Sequence, residues 1–326
     1  TFGSFHIDIA PIIIVAFFTT LLVFGTKIGA RVDGAMTVLK IAIVFFVVIV
    51  GFFYVKASNF TPFIPPSQPA STVEGSSAVT GVMTQPLWQF ATGMTPSVYG
   101  VPGILSGAAL VFFAFIGFDV VATASEETKN PHKNVPLGIG VGMLLIIVMY
   151  MLVAVVTTGM VSYADLAKQD SPSLATAFEL VGADWAAKII SFGIVLGLAT
   201  VVMVLLLGLT RIVFAMSRDG LLPRGLSKTG KHGTPAALQI VVGAVVALVA
   251  AFFDIGVLSD MVNIGTLSAF TLVAISIPIM RKKRPDLPRA FKMPGSPWIP
   301  ILIAVANFWL MLNLSVLTWI RFVVWL

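Results

Sequence analysis

Between Gly107 and Pro136 an apolar stretch long enough to enter a bilayer is interrupted at Ile116-Gly117-Phe118-Asp119. In hydrocarbon every backbone N–H and C=O needs a partner, so unwound backbone survives at membrane depth only where protein, water or a ligand satisfies it. The interruption therefore predicts a broken helix whose two halves line a binding site.

Composition places the rest of the chain in the same setting. Apolar residues make up 58% and charged residues 10%, against about 45–50% and about 25% in soluble domains, so an integral membrane protein is expected. The net charge of +6 does not point to nucleic acid, because the basic residues fall in short clusters between apolar spans and read as topology signals. There is no cysteine, and His6, His132 and His232 are widely separated, so no disulfide, metal or other cofactor is expected. The chain begins at Thr1 without Met and stops inside Arg321–Leu326, a stretch too short to cross a bilayer that needs about 20 residues. Both ends are expected to be cut.

With about 17 to 25 apolar residues per crossing, spans fall near 8–26, 35–54, 103–126 (the broken one), 136–160, 184–214, 235–253, 258–280 and 298–315, eight crossings and a stub. Placing the Lys27/Arg31 loop inside puts Lys129, Lys133, Arg211, Arg218, Arg224, Lys228, Lys231, Arg281–Arg284, Arg289 and Lys292 inside as well. Only Lys56, Lys168, Lys188 and Arg321 remain outside, the asymmetry expected of cytoplasmic loops. The long outer loop, 56–102, is rich in Pro, Ser, Thr and Gly and carries Trp88, Phe90, Met94 and Tyr99. It is read either as a short surface helix or as a disordered linker. A second short outer helix is expected within Ser171–Val181.

Four runs carry a family resemblance: LLVFGTKIGARVD (21–33), ALVFFAFIGFDVVATASEETKNP (109–131), TRIVFAMSRDGLLP (210–223) and VNIGTLSAFTLVAISIPIMRKKRPDLPRAFKMPG (262–295). Together they resemble the cationic amino acid transporter group of the amino acid, polyamine and organocation superfamily. That resemblance implies an all-α integral membrane protein of the leucine-transporter type, two inverted five-helix repeats followed by extra helices. The eight spans would be the fourth to the eleventh, a partial bundle lacking the first three helices, with residues 103–280 as the complete second repeat and 1–326 as one transporter domain. It further implies secondary active transport of amino acids, proton-coupled, in a multi-pass protein of the plasma (cytoplasmic) membrane. A proton-independent exchanger and a non-functional truncated fragment stay open as alternatives. The implied partners are an amino acid, protons and lipid; nucleic acid is excluded, and oligomeric state is unread.

The candidate residues follow from the break and from polar groups at depth. The first half helix ends near Phe115, and its carbonyls suit an ammonium group. In the family such carbonyls hold the substrate's α-amino group, so Phe113 becomes the gate, and Ala114, Phe115, Ile116 and Gly117 line the site; ordinary packing of the Phe cluster is the competing reading. Asp119 either caps the second half helix or contacts substrate or relays protons, since a carboxylate at membrane depth needs water or a partner. Lys40 lies roughly 13 Å from the cytoplasmic end of its span, where desolvation favours the neutral amine. The resemblance gives it the proton-coupling place, with Thr200 as a polar partner. Met203 and Leu207, one turn apart, are read as pocket wall or plain core. Glu126, Glu127 and Lys129 form either an inner gate with Arg211 or Arg218 or a solvated helix end. The phosphate-loop look of Gly225–His232 is dismissed, because His232 stands where a magnesium-binding hydroxyl belongs and no strand precedes it.

No nucleophile–base pair or paired carboxylates at depth suggests an enzyme, and no symmetric repeat suggests a channel. Cationic and neutral amino acids are equally compatible with the sequence.

Overall fold

Apolar runs of bilayer length can satisfy their own backbone only as helices or closed barrels, and here they are helices. The computed structural model describes residues 9–23, 26–72, 81–118, 121, 128–169, 172–227, 235–253, 255–287, 289 and 295–326. Among them the helices are α1 (Ile9–Val23), α2 (Thr26–Phe52), α3 (Leu87–Thr92), α4 (Gly100–Val111), α5 (Pro131–Met160), α6 (Tyr163–Ala167), α7 (Leu174–Leu180), α8 (Asp184–Arg218), α9 (Ala236–Phe252), α10 (Ile255–Lys283), α11 (Trp298–Leu312) and α12 (Val316–Trp325). The described strands are a short antiparallel pair, β1 (Gln68–Pro69) and β2 (Ser97–Val98). Among the described residues four helices are long and apolar enough to cross a membrane: α2 over Gly34–Phe52, α5, α8 and α10. Shorter apolar helices are α1, α4 with the turn after it, α9, α11 and α12.

Each expected span meets one of these helices, but two start five or more residues earlier than their apolar runs. α2 begins at Thr26 rather than near 35, and α5 at Pro131 rather than near 136. An apolar count sees only the part of a helix in hydrocarbon. Proline fits the first helical position, where its missing N–H costs nothing, so α5 starts at Pro131 and carries Pro136 inside it.

The described residues fall into two compact units, one within Thr1–Phe60 and Ile139–Asp254, the other within Thr61–Phe118, Thr128–Gly138 and Ile255–Leu326. In the first, α1 packs along α9 and α8, α2 along α8, and α7 against α8. One apolar cluster joins Val47, Val156, Met160, Phe178 and Ile190, and another joins Val15, Phe18, Leu22, Met203, Leu206, Leu238 and Val242. Contact of α2 with α8 depends on Gly193, where a Cβ would stand 2.5 Å from Cδ1 of Ile43.

In the second unit α10 packs along α11 and α12, and α4 rests on α11 and α10. Ala109, Ile264, Leu267, Met311, Leu314 and Phe322 form the core. The described part of the long loop is anchored to the turn between α11 and α12. The Leu87 N–H donates to the Leu314 carbonyl at 3.0 Å, Val316 N–H to Gln85 at 3.1 Å and Leu317 N–H to Met83 at 2.8 Å. The indole of Trp88 donates to Oδ1 of Asn313 at 2.9 Å. Of the two readings of this loop, the surface helix is what α3 provides, and α7 is the second short helix.

Candidate functional site

α4 ends at Val111, and its last turn tightens into a 3₁₀ turn over Phe112–Phe115. Ile116 is extended with ψ 134°, and Gly117 has φ 126°. Phe118 is helical again. The helix is thus discontinuous at Ile116 and Gly117. An L side chain rarely adopts the Gly117 conformation, while no described residue lies within 4 Å of where its Cβ would stand. Among the described residues backbone conformation, not crowding, calls for glycine there.

Phe270 of α10 holds both sides of the break. Its ring meets Phe112 edge-to-face at 6.2 Å and Phe118 at 5.3 Å, centroid to centroid. Phe113, next to the packed Phe112, is 43% exposed, and Ala114 is exposed, while Phe115, Ile116 and Gly117 are half-buried. These five expected site residues therefore sit together on one short segment. Asp119, Glu126 and Glu127, and with them the expected inner gate, lie outside the described residues. Arg218 lies 3.4 Å from its neighbour Asp219, and both are exposed.

Lys40 and Thr200 both neighbour Gly197 in the first unit. Cε of Lys40 lies 4.0 Å from the Cβ position of Gly197, so the lysine stem runs over a glycine one turn from Gly193. Thr200 is 2% exposed, and its hydroxyl donates to the Gly197 carbonyl at 2.9 Å. Its proton is therefore directed into its own helix, and its oxygen can still accept. Met203, 3% exposed, belongs to the apolar cluster shared with α1 and α9.

Two features escaped the sequence reading. Asp260, one turn into α10, accepts a hydrogen bond from the buried Thr318 hydroxyl of α12 at 3.0 Å. Asn263 is fully buried, and both polar atoms of its side chain lack a partner among the described residues. It shares the helix face of Ile264, Leu267 and Phe270, the face that packs on α4 and the break. An asparagine in an apolar run was the available signal. A buried unpaired amide costs about 1–3 kcal/mol, so its retention there marks it as a candidate site residue.

The family model of amino acid permeases matches residues 6–324. The chain is 41% identical to the branched-chain amino acid permease BcaP of Bacillus subtilis (strain 168), with 99% of this chain and 63% of that protein covered. It is 38% identical to the methylthioribose transporter of the same organism, with 96% and 61% covered. Against the vacuolar cationic amino acid transporter 4 of Arabidopsis thaliana it is 34% identical, with 86% and 42% covered. The chain thus spans less than two thirds of the length of each of these relatives, all of them named as permeases or transporters.

Proposed function

This chain belongs to the amino acid permease family, and from that premise we propose that it carries amino acids across the membrane by alternating access around the break at Ile116 and Gly117. Its fold is the family's all-α bundle of the leucine-transporter type, in an integral, multi-pass membrane protein. The observation that carries the proposal is the discontinuity itself, the 3₁₀ turn ending at Phe115 followed by extended Ile116 and left-handed Gly117. The last turn of a helix presents roughly half a negative charge, a partner for the substrate's ammonium group. Phe113 is the gate; Ala114, Phe115, Ile116 and Gly117 line the site; Asp119 either caps the second half helix or reaches the substrate.

One relative is named for branched-chain amino acids, which favours leucine, isoleucine and valine as the first substrates to try. Proton coupling is assigned to Lys40, whose stem packs on Gly197, with the Thr200 oxygen as an acceptor for its ammonium form. Residues 103–280 act as the second five-helix repeat, and the plasma membrane is the proposed location.

Labelled leucine uptake into proteoliposomes under an inward proton gradient tests the reading, with arginine and methylthioribose as competitors. Uptake is expected to respond to the gradient and to fall at least tenfold in Phe113→Ala. Absence of uptake for every amino acid tried would sink the proposal. Uptake that needs internal amino acid and ignores pH would replace proton coupling by exchange.

A further inference from the structure

The C-terminal end of α10 carries more positive charge than the fold uses. Its last residues are Arg281, Lys282 and Lys283, and Arg284 follows directly. Over 281–289 five basic residues face one acid, Asp286.

Arg289 has a separate task. Its guanidinium turns back on the helix end, donating to the carbonyls of Arg284 at 2.6 Å, Met280 at 3.4 Å, Pro285 at 3.2 Å and Leu287 at 3.3 Å. One cation thus caps the negative end of the helix. Lys282, Lys283 and Arg284 are exposed, and among the described residues none of the three forms an ion pair. The following loop returns to Trp298, the first residue of α11, which is 78% exposed. Because α11 packs along α10 with Met311, near its end, against Ile264 and Leu267 in the first half of α10, the two run antiparallel and Trp298 stands at the same end of this helix pair as the basic run. An exposed tryptophan level with lysines and arginines at the end of a membrane-crossing helix is the pattern of a bilayer interface.

We propose that the Lys282–Arg284 end of α10, with Trp298 at the start of α11, docks on the anionic phospholipid headgroups of the leaflet it meets. Charge complementarity selects this occupant. Each Lys or Arg held near an anionic leaflet is worth on the order of a five-fold gain in binding, and the tryptophan ring belongs at headgroup level. The proposal does not depend on what the protein transports.

The test measures how strongly the protein, reconstituted in phosphatidylcholine vesicles, retains spin-labelled phosphatidylglycerol relative to spin-labelled phosphatidylcholine. Several-fold preference for the anionic lipid is expected, and it should disappear in the combined variant Lys282→Gln, Lys283→Gln, Arg284→Gln. Lys282→Arg with Lys283→Arg should keep it. In the unaltered protein about 1 M salt, where the Debye length is about 3 Å, should collapse it, which gives a readout independent of any variant's folding. Equal retention of the two lipids overturns the proposal, as does a preference that survives both the triple variant and high salt. Displacement by millimolar inorganic phosphate overturns the leaflet as occupant in favour of a free-phosphate site.

Discussion

Gly117 and Gly193 are both required, for opposite reasons. At Gly117 the backbone is left-handed and no described residue crowds it, so Gly117→Ala strains the chain by about 1–3 kcal/mol through its backbone. Its effect should fall on the break: leucine uptake drops about tenfold or more while the unfolding temperature in detergent moves by only a few degrees. At Gly193 the backbone is ordinary helix and the space is filled by Ile43. Gly193→Ala overpacks the α2–α8 contact, at a cost of about 1–3 kcal/mol, and Ile43→Ala should restore part of the lost thermal stability. An additive loss in the double variant would refute that contact. Asn263→Leu removes a buried amide that has no partner among the described residues, so the unfolding temperature should rise; if the amide serves the site, uptake falls at the same time. Gly117 was legible in the sequence because it interrupts an apolar helix beside Asp119. Gly193 was not, because its reason is a partner 150 positions earlier in the chain. Nor was Phe270, whose role appears only when both halves of the break are seen to lean on it.

At the level of elements, the long helices were readable from hydrophobic length and α3 and α7 were expected as short helices, whereas α6, a single turn, carries no such signal. α6 exists because Ser162 caps it, its oxygen accepting from Asp165 N–H at 3.2 Å while its hydroxyl donates to the Asp165 carboxylate at 2.8 Å. That hydrogen bond, and then Lys168 at 3.2 Å, hold the Asp165 carboxyl below its usual range. A lowered carboxyl pKa supports the folded turn above the ordinary carboxylate range and loses that support as pH falls through the lowered value. Ser162→Ala should therefore move the Asp165 titration upward, as followed by NMR, and speed amide exchange over 163–167; an unmoved titration would contradict the assignment. α3 depends on distance in sequence rather than on caps. Trp88 and Asn313 are 225 positions apart, so nothing local foretells that the long loop is anchored. Trp88→Phe should cost about 1 kcal/mol and loosen exchange over 87–92 ahead of the rest of the second unit.

For the molecule as a whole, every expected crossing meets a described helix because an apolar run in hydrocarbon satisfies its own backbone as helix, and that regularity survives without any knowledge of contacts. The match over residues 6–324 ties those helices to amino acid permeases. How they are used is the proposed part, and it rests on two places, the break in one unit and the packing of Lys40 on Gly197 in the other. The most direct measurement is leucine uptake by proteoliposomes carrying the unaltered protein or Lys40→Met, followed across external pH with helix content checked by circular dichroism. Transport at the break with protons handled by Lys40 predicts uptake that climbs as external pH falls in the unaltered protein and a flat, residual uptake in Lys40→Met. Superimposable pH profiles for the two proteins would contradict it.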